Sequence, residues 1–146
     1  MADTQNFRIE ELLRKYQKDK NVKREFINDL TFTDNLPKID WVEVWNSLES
    51  FDSAIKASGA GLCFNDALQD ALMSEEQKTY IFTNAKSIKL SMSCRTRKDY
   101  ELMLSQIRSL RNSLAGKMVM PELHIIMDAE QYYNIMIKLL AVFADN

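Results

Sequence analysis

The chain has 146 residues, of which 46% are apolar and 27% charged, with 3 Gly, 2 Pro and a formal net charge of -2. This composition excludes a disordered, collagen-like or low-complexity chain. So few Gly and Pro also leave little turn material for a sandwich or barrel of many short strands, and one domain of ordinary size is expected.

The N-terminal third of the sequence carries a helical pattern. Apolar residues at positions 9, 12, 13 and 16 recur at helical spacing, so we predict one long helix or two short ones over residues 4–31. Turn-forming residues and Pro37 make residues 31–38 the best linker. We therefore divide the chain into an N-terminal helical arm, residues 1–36, and a helical-bundle body, residues 37–146, treated together as one domain.

Two capping boxes mark helix starts in the body. Asp40 with Glu43 begins a helix whose apolar stripe runs to Ile55 and which ends at the Gly59 and Gly61 pair. Asn65 is expected to cap a short helix through Met73. Ser74 with Gln77 forms the second capping box, and the helix that follows is expected to include Ile88 and Met92.

The C-terminal third predicts two more helices. An apolar stripe from Tyr100 to Leu114 ends at Gly116, and Leu123 to Met127 is a short apolar run that we expect to be extended or irregular. Asp128 with Gln131 caps a last helix through Phe143, apolar enough to be central or to lie at a subunit interface. The predicted fold is an all-α bundle of five or six helices.

The expected location of the protein and its expected lack of cofactors are based on motifs that the sequence does not contain. Cys63 and Cys94 are too few and too isolated for a disulfide framework or a metal-ligand cluster. No stretch reaches the roughly 18 apolar residues of a membrane span, and the N-terminus has no secretory pattern. We expect a cytoplasmic protein with reduced thiols, no membrane contact, no metal and no cofactor.

Charge is segregated along the chain. Residues 29–76 hold ten acidic residues against two basic ones, whereas residues 86–117 hold eight basic residues against two acidic ones. In the basic block, Arg108 and Arg111 share one helix face beside Asn112, where two guanidinium groups and an amide are suited to grip a phosphate. The block also supplies Lys86, Lys89, Arg95, Arg97, Lys98 and Lys117. The alternative is that these cations pair with the acidic block within one fold.

The chain has one histidine, His124. Histidine exchanges protons near neutral pH, so it is a candidate catalytic acid or base. No acidic or cysteine partner stands at a recognised spacing from it, which favours a structural role.

The segment LRNSLAG, Leu110 to Gly116, followed by the predicted final helix in residues 126–143, resembles the HEPN superfamily of small helical-bundle proteins. Many members are ribonucleases of toxin–antitoxin, abortive-infection and CRISPR systems. The family motif is an arginine, often followed by Asn, with a histidine a few residues later, and the two cleave RNA without metal across a dimer. Here the histidine positions after Arg111 are occupied by Gly116, Lys117 and Met118, so the resemblance implies a member without the catalytic histidine.

The sequence and this resemblance together give three functional hypotheses. The first is a non-catalytic, homodimeric regulatory module that binds RNA or a nucleotide. The resemblance suggests a defence or toxin–antitoxin system as its setting. The second is a protein–protein adaptor or small subunit whose apolar last helix packs on a partner. The third is a metal-free ribonuclease that uses His124 or Lys117. The binding residues of the first hypothesis are Arg95, Arg97, Lys98, Arg108, Arg111, Asn112 and Lys117.

Overall fold

The computed structural model describes residues 3–8 and 52–144, which form one five-stranded sheet and three helices. The order of the strands in the sheet is β1-β2-β5-β3-β4. Strands β3 and β4 are parallel, and the other neighbouring pairs are antiparallel. In chain order the elements are β1 (Asp3–Arg8), β2 (Ser53–Gly61), α1 (Phe64–Ala71), α2 (Glu75–Asn84), β3 (Ser87–Cys94), α3 (Arg97–Ser113), β4 (Glu122–Met127) and β5 (Ile135–Phe143).

The predicted all-α bundle is therefore wrong, and the fold is α/β. The largest error concerns the segment expected to be the last helix, which is strand β5. β5 lies between β2 and β3, and residues on both of its faces are buried, among them Leu139 and Leu140. A strand buried on both faces is a continuous apolar run, and such a run cannot be distinguished from a buried helix by its period.

Strands β2 and β3 were also expected to be helical. Gly59 and Gly61, expected to end a helix, lie inside β2, where they allow α1 to approach the sheet. A Cβ on Gly59 would be 2.3 Å from the carbonyl oxygen of Ala67. Ile88 and Met92 were expected on a helix, and both lie on β3. Their spacing of four residues did not distinguish the two structures, because it places two residues on one face of a helix and also on one face of a strand.

Other elements confirm predictions that were made from sequence patterns. Helix α2 begins at its predicted cap, where the Ser74 hydroxyl accepts from the Gln77 N–H at 3.0 Å. Helix α3 covers the predicted stripe and buries Met103, Ile107 and Leu110. The short run before Asp128 is extended, as expected, and forms β4. For α1 the cap residue is Cys63, so the predicted cap, Asn65, lies inside the helix.

The N-terminal prediction can be compared with the structure only in part. Residues 3–8 form strand β1, so a helix that begins at residue 4 is wrong there. The remainder of that helix, the linker at residues 31–38, the boundary after residue 36 and the helix expected from Asp40 to residue 51 lie outside the described residues. The helix predicted from Asp40 also included Ser53 to Ile55, and these residues belong to β2, so the prediction is wrong there.

The helices position the core on one face of the sheet. Helix α1 packs on β2, β5 and α3, and α3 packs on β3. The two parallel crossovers, from β2 to β3 and from β3 to β4, run in the same direction across the sheet, which places their helices on the same face when both are right-handed. None of the helices described is long and apolar enough to cross a membrane.

Candidate functional site

The predicted binding residues lie on or beside α3, but they do not form one cluster. Arg97 and Lys98 are in its first turn and follow Arg95, whereas Arg108 and Arg111 are near its end. A helix rises 1.5 Å per residue, so Arg97 and Arg111 are about 21 Å apart along the axis. The structure therefore divides the predicted site into an N-terminal and a C-terminal group.

The three cations of the N-terminal group are accompanied by two acids, Asp99 and Glu101. Nε of Arg97 lies 3.4 Å from Oε1 of Glu101. The carboxylate of Asp99 accepts from the Thr96 hydroxyl at 2.9 Å and from the Asn134 amide at 3.2 Å, which places a negative charge in the first turn. With this much acid nearby, Arg95, Arg97 and Lys98 leave little excess positive charge for an anion.

The C-terminal group is different, and we call it the α3 basic surface: Arg108, Arg111, Asn112 and Lys117. All four residues are exposed. No acidic residue occurs in the sequence between Glu101 and Glu122. Within residues 3–8 and 52–144, no carboxylate is within ion-pair distance of its three cations.

Helix geometry explains why these side chains are free to reach solvent. Each residue advances about 100° around the axis, so Met103, Ile107 and Leu110 form the buried side and Arg108 points away from it. Arg111 lies one turn beyond Arg108. Arg111 is also in the last turn of the helix, where a positive charge interacts favourably with the carbonyl end of the helix dipole.

Two lysines of the basic block form ion pairs within the chain, and of these the pair made by Lys86 follows the alternative interpretation. Nζ of Lys86 is 3.2 Å from Oδ2 of Asp52, a buried member of the acidic block. Lys89 on β3 pairs with Glu122 on β4. Internal pairing therefore accounts for these two cations, whereas no carboxylate of residues 3–8 and 52–144 pairs with the cations of the α3 basic surface.

His124 lies away from the α3 basic surface. Side chains alternate along β4, and Leu123 and Ile125 face α3, so His124 and Glu122 are on the opposite face of the sheet. Nε2 of His124 is buried and lies 3.3 Å from Oε1 of Glu122. The hydrogen bond from Lys89, and to a smaller extent the charge of His124, lower the pKa of the Glu122 carboxyl. One copy of the chain thus keeps its histidine and its exposed arginines on different faces.

Sequence reasoning missed an open groove of about 590 Å³ between α3 and β4. Leu123, Ile125 and Met127 form its floor, and Tyr100 and Arg97 form its wall. The signal was present, because these three floor residues alternate with a period of two.

A second groove, of about 340 Å³, lies on the other side of α3, next to α1 and α2. Its lining is mainly polar and was also missed, because residues from three separate helices form it. The side-chain amides and hydroxyls that line it belong to Asn65, Gln69, Gln106, Ser109 and Ser113.

The cysteines do not form a site. Burial, with a smaller contribution from Asp99, raises the pKa of the Cys94 thiol to about 11. Cys63 is partly exposed, and both thiols are free. No cluster of three or more His, Cys, Asp or Glu residues suited to a metal occurs in the part of the chain that the structure describes.

No protein-family model and no curated protein matches the chain. Of the two features that carry the resemblance to HEPN proteins, LRNSLAG does lie at the end of a long helix, α3. The second feature, an apolar final helix, is strand β5. The helical-bundle fold that the resemblance implies is therefore wrong for this chain.

Proposed function

We propose that the chain is a non-catalytic binding protein that holds the phosphate groups of RNA or of a nucleotide on the α3 basic surface. Arg108 and Arg111 would each offer a guanidinium fork to phosphate oxygens, and Asn112 would add an amide donor. Lys117, four residues beyond the last residue of α3, would contribute a compact positive charge.

One observation supports this proposal above the others. The cations of the α3 basic surface are exposed and have no carboxylate partner in residues 3–8 and 52–144, whereas Lys86, Lys89 and Arg97 do. An uncompensated group of cations raises the local concentration of anions and favours phosphate binding.

The other hypotheses have less support. The adaptor hypothesis depended on an apolar last helix, and that segment is inside the sheet as β5. The ribonuclease hypothesis needs a proton-transfer group near the arginines, and His124 is on the opposite sheet face. A role in a defence or toxin–antitoxin system rests on the HEPN resemblance alone and is not part of the proposal. We propose a cytoplasmic location, which the two free thiols support.

The proposal is tested by measuring the affinity of the full chain for a labelled single-stranded RNA at several salt concentrations. We expect the affinity to fall steeply with salt, and Arg111→Ala and Arg108→Ala each to weaken binding and to reduce the salt slope by about 0.7. ATP as competitor distinguishes a nucleotide site from an RNA surface.

Arg97→Ala is the matched control, because it removes the same side chain from the end of the same helix that also holds Asp99 and Glu101. We expect it to leave RNA affinity almost unchanged. Equal losses for Arg97→Ala and Arg111→Ala, or no retention of RNA or ATP at physiological salt, would contradict the proposal.

A further inference from the structure

The open groove between α3 and β4 has no role in the function proposed above. Its lining residues are Arg97, Tyr100, Leu123, Ile125 and Met127. The apolar floor reaches solvent, since Met127 is 59% exposed, and Tyr100 is partly exposed beside it. An accessible aromatic ring next to an apolar floor is a surface on which another flat ring can stack.

The groove and the α3 basic surface lie along the same side of α3. Arg108 follows Arg97 after eleven residues, and Arg111 follows Tyr100 at the same interval. Eleven residues are about three turns of an α-helix, so each arginine lies nearly in line with a residue that lines the groove. The second groove is on the other side of the helix. A ligand in the groove beside β4 can therefore continue directly onto the arginines.

The direction of α3 gives the order of these features. Because β3 and β4 are parallel, α3 runs back from the end of β3 to the start of β4. Leu123, near the start of β4, is therefore at the end of the floor that is closer to Arg108 and Arg111. Tyr100 and Arg111 are about 16.5 Å apart along the helix axis. A nucleoside monophosphate is too short to reach from one to the other, whereas a strand of a few nucleotides reaches both.

Charge separates the two ends of this path. Asp99 and Glu101 lie in the same part of α3 as the groove residues, and Arg97, the cation of the groove, pairs with Glu101. The next acidic residue in the sequence is Glu122. A phosphate is therefore disfavoured in the groove and favoured on the α3 basic surface, and the groove suits a neutral ring. In an RNA duplex the bases are paired and stacked on each other, so only an unpaired base offers such a ring.

We propose that this groove binds an unpaired base of single-stranded RNA, stacked on Tyr100, while phosphates further along the same strand bind the α3 basic surface. The inference rests on the proposed function and narrows its ligand to single-stranded RNA. An aromatic ring combined with a line of cations is how many proteins hold a single strand without reading its sequence.

The first measurement compares the affinity of the full chain for a labelled oligouridylate of about ten nucleotides with its affinity for inorganic polyphosphate, which has phosphates and no bases. Tyr100→Ala should weaken oligouridylate binding about fivefold or more, the loss expected for one stacked base, and have little effect on polyphosphate. Arg111→Ala should weaken the binding of both ligands. A blunt RNA duplex, whose bases are paired, should follow polyphosphate.

Two further variants are the controls. Tyr100→Phe keeps the ring and removes only the hydroxyl, so it should retain most of the oligouridylate affinity. Tyr132 is 84% exposed but does not line the groove, so Tyr132→Ala should leave the affinity unchanged. Circular dichroism verifies that each variant keeps the fold.

The second measurement locates the base directly. Oligouridylate that carries iodouridine should couple under ultraviolet light to the aromatic side chain on which that base stacks. We expect mass spectrometry to place the cross-link on Tyr100. Tyr132 and Tyr133, which are 84% and 45% exposed, are internal controls, since both lie outside the groove.

The results separate this inference from the proposed function. If Arg111→Ala weakens oligouridylate binding and Tyr100→Ala does not, the phosphates bind as proposed and the base site is wrong. Equal losses of both ligands in Tyr100→Ala, or a cross-link on Tyr132 or Tyr133 instead of Tyr100, also overturn the inference. If the wild-type chain binds neither ligand, the proposed function fails and the inference fails with it.

Discussion

Gly59 of β2 lies directly beneath Ala67 of α1, so close that a Cβ on residue 59 would be 2.3 Å from the Ala67 carbonyl oxygen and 2.6 Å from the Ala71 nitrogen. Both atoms are backbone, so neither can move without displacing the helix. A side chain at residue 59 would separate α1 from the sheet on which it packs. The close packing of α1 on the sheet therefore requires a residue without a side chain at this position.

This relationship predicts a large effect for Gly59→Ala. We expect the free energy of unfolding to fall by about 3 kcal/mol, the upper end of the cost of overpacking, measured by urea denaturation. Gly116→Ala is the control, because Gly116 has a φ of +75° and open space around its Cβ position. Only backbone strain of about 1 kcal/mol is expected there. A smaller loss at residue 59 than at residue 116 would show that α1 is not held as described.

Cys94 should be inert in the folded protein. Its thiol is buried with a pKa of about 11, so the reactive thiolate is scarce at pH 8. Mass spectrometry after iodoacetamide treatment at pH 8 should show that the partly exposed Cys63 is modified faster than the buried Cys94. In urea the two rates should converge. Rapid native labelling of Cys94 would contradict its burial against α3.

The Lys89–Glu122 pair predicts a pH-dependent contribution to stability. Because the pKa of Glu122 is lower in the folded protein than its usual value of 4.5, the pair stabilises the fold above that value. This contribution is lost as the pH falls through the lowered pKa. The Glu122 side chain is 50% exposed, so solvent screening limits the effect to about 0.5–1 kcal/mol.

Glu122→Gln should therefore reduce the free energy of unfolding at pH 7 and have progressively less effect as the pH falls below 4.5. Urea denaturation at several pH values provides the comparison. Glu101→Gln, on an exposed pair of one helix, should show a smaller difference at every pH. A Glu122→Gln effect that is the same at pH 7 and pH 3 would mean that the carboxylate charge contributes nothing.

Gln131 holds the connection between β4 and β5 to the end of β3. Its Nε2 lies within hydrogen-bond distance of the carbonyls of Ser93, Tyr133 and Asn134, at 3.0, 2.8 and 3.2 Å. Gln131→Ala should lower the free energy of unfolding by about 1–2 kcal/mol in thermal or urea denaturation. The neighbouring Glu130→Ala, on an exposed side chain, should change it by no more than about 0.5 kcal/mol.

Local signals allowed some elements to be predicted. The hydroxyl of Ser74 and the stripe through Met103, Ile107 and Leu110 act within one or two turns, so α2 and α3 were found where the sequence places them. The exposed cations of α3 could also be found, because they lie off the apolar stripe of a single helix.

The sheet could not be predicted in the same way because its partners are distant in sequence. Leu139 pairs with Ala57 on one side and with Leu90 on the other. Neither pairing produces a signal in the sequence around Leu139. The groove beside β4 has the same origin, since Tyr100 and Leu123 belong to different elements.

The place of β5 in the sheet has a consequence for synthesis on the ribosome. Strands β2 and β3 are not neighbours, because β5, which is translated after both, lies between them. A nascent chain that has emerged only as far as β4 has its helices available but lacks the strand that joins the two halves of the sheet. Closure of the core must therefore await the emergence of residues 135–143 from the exit tunnel.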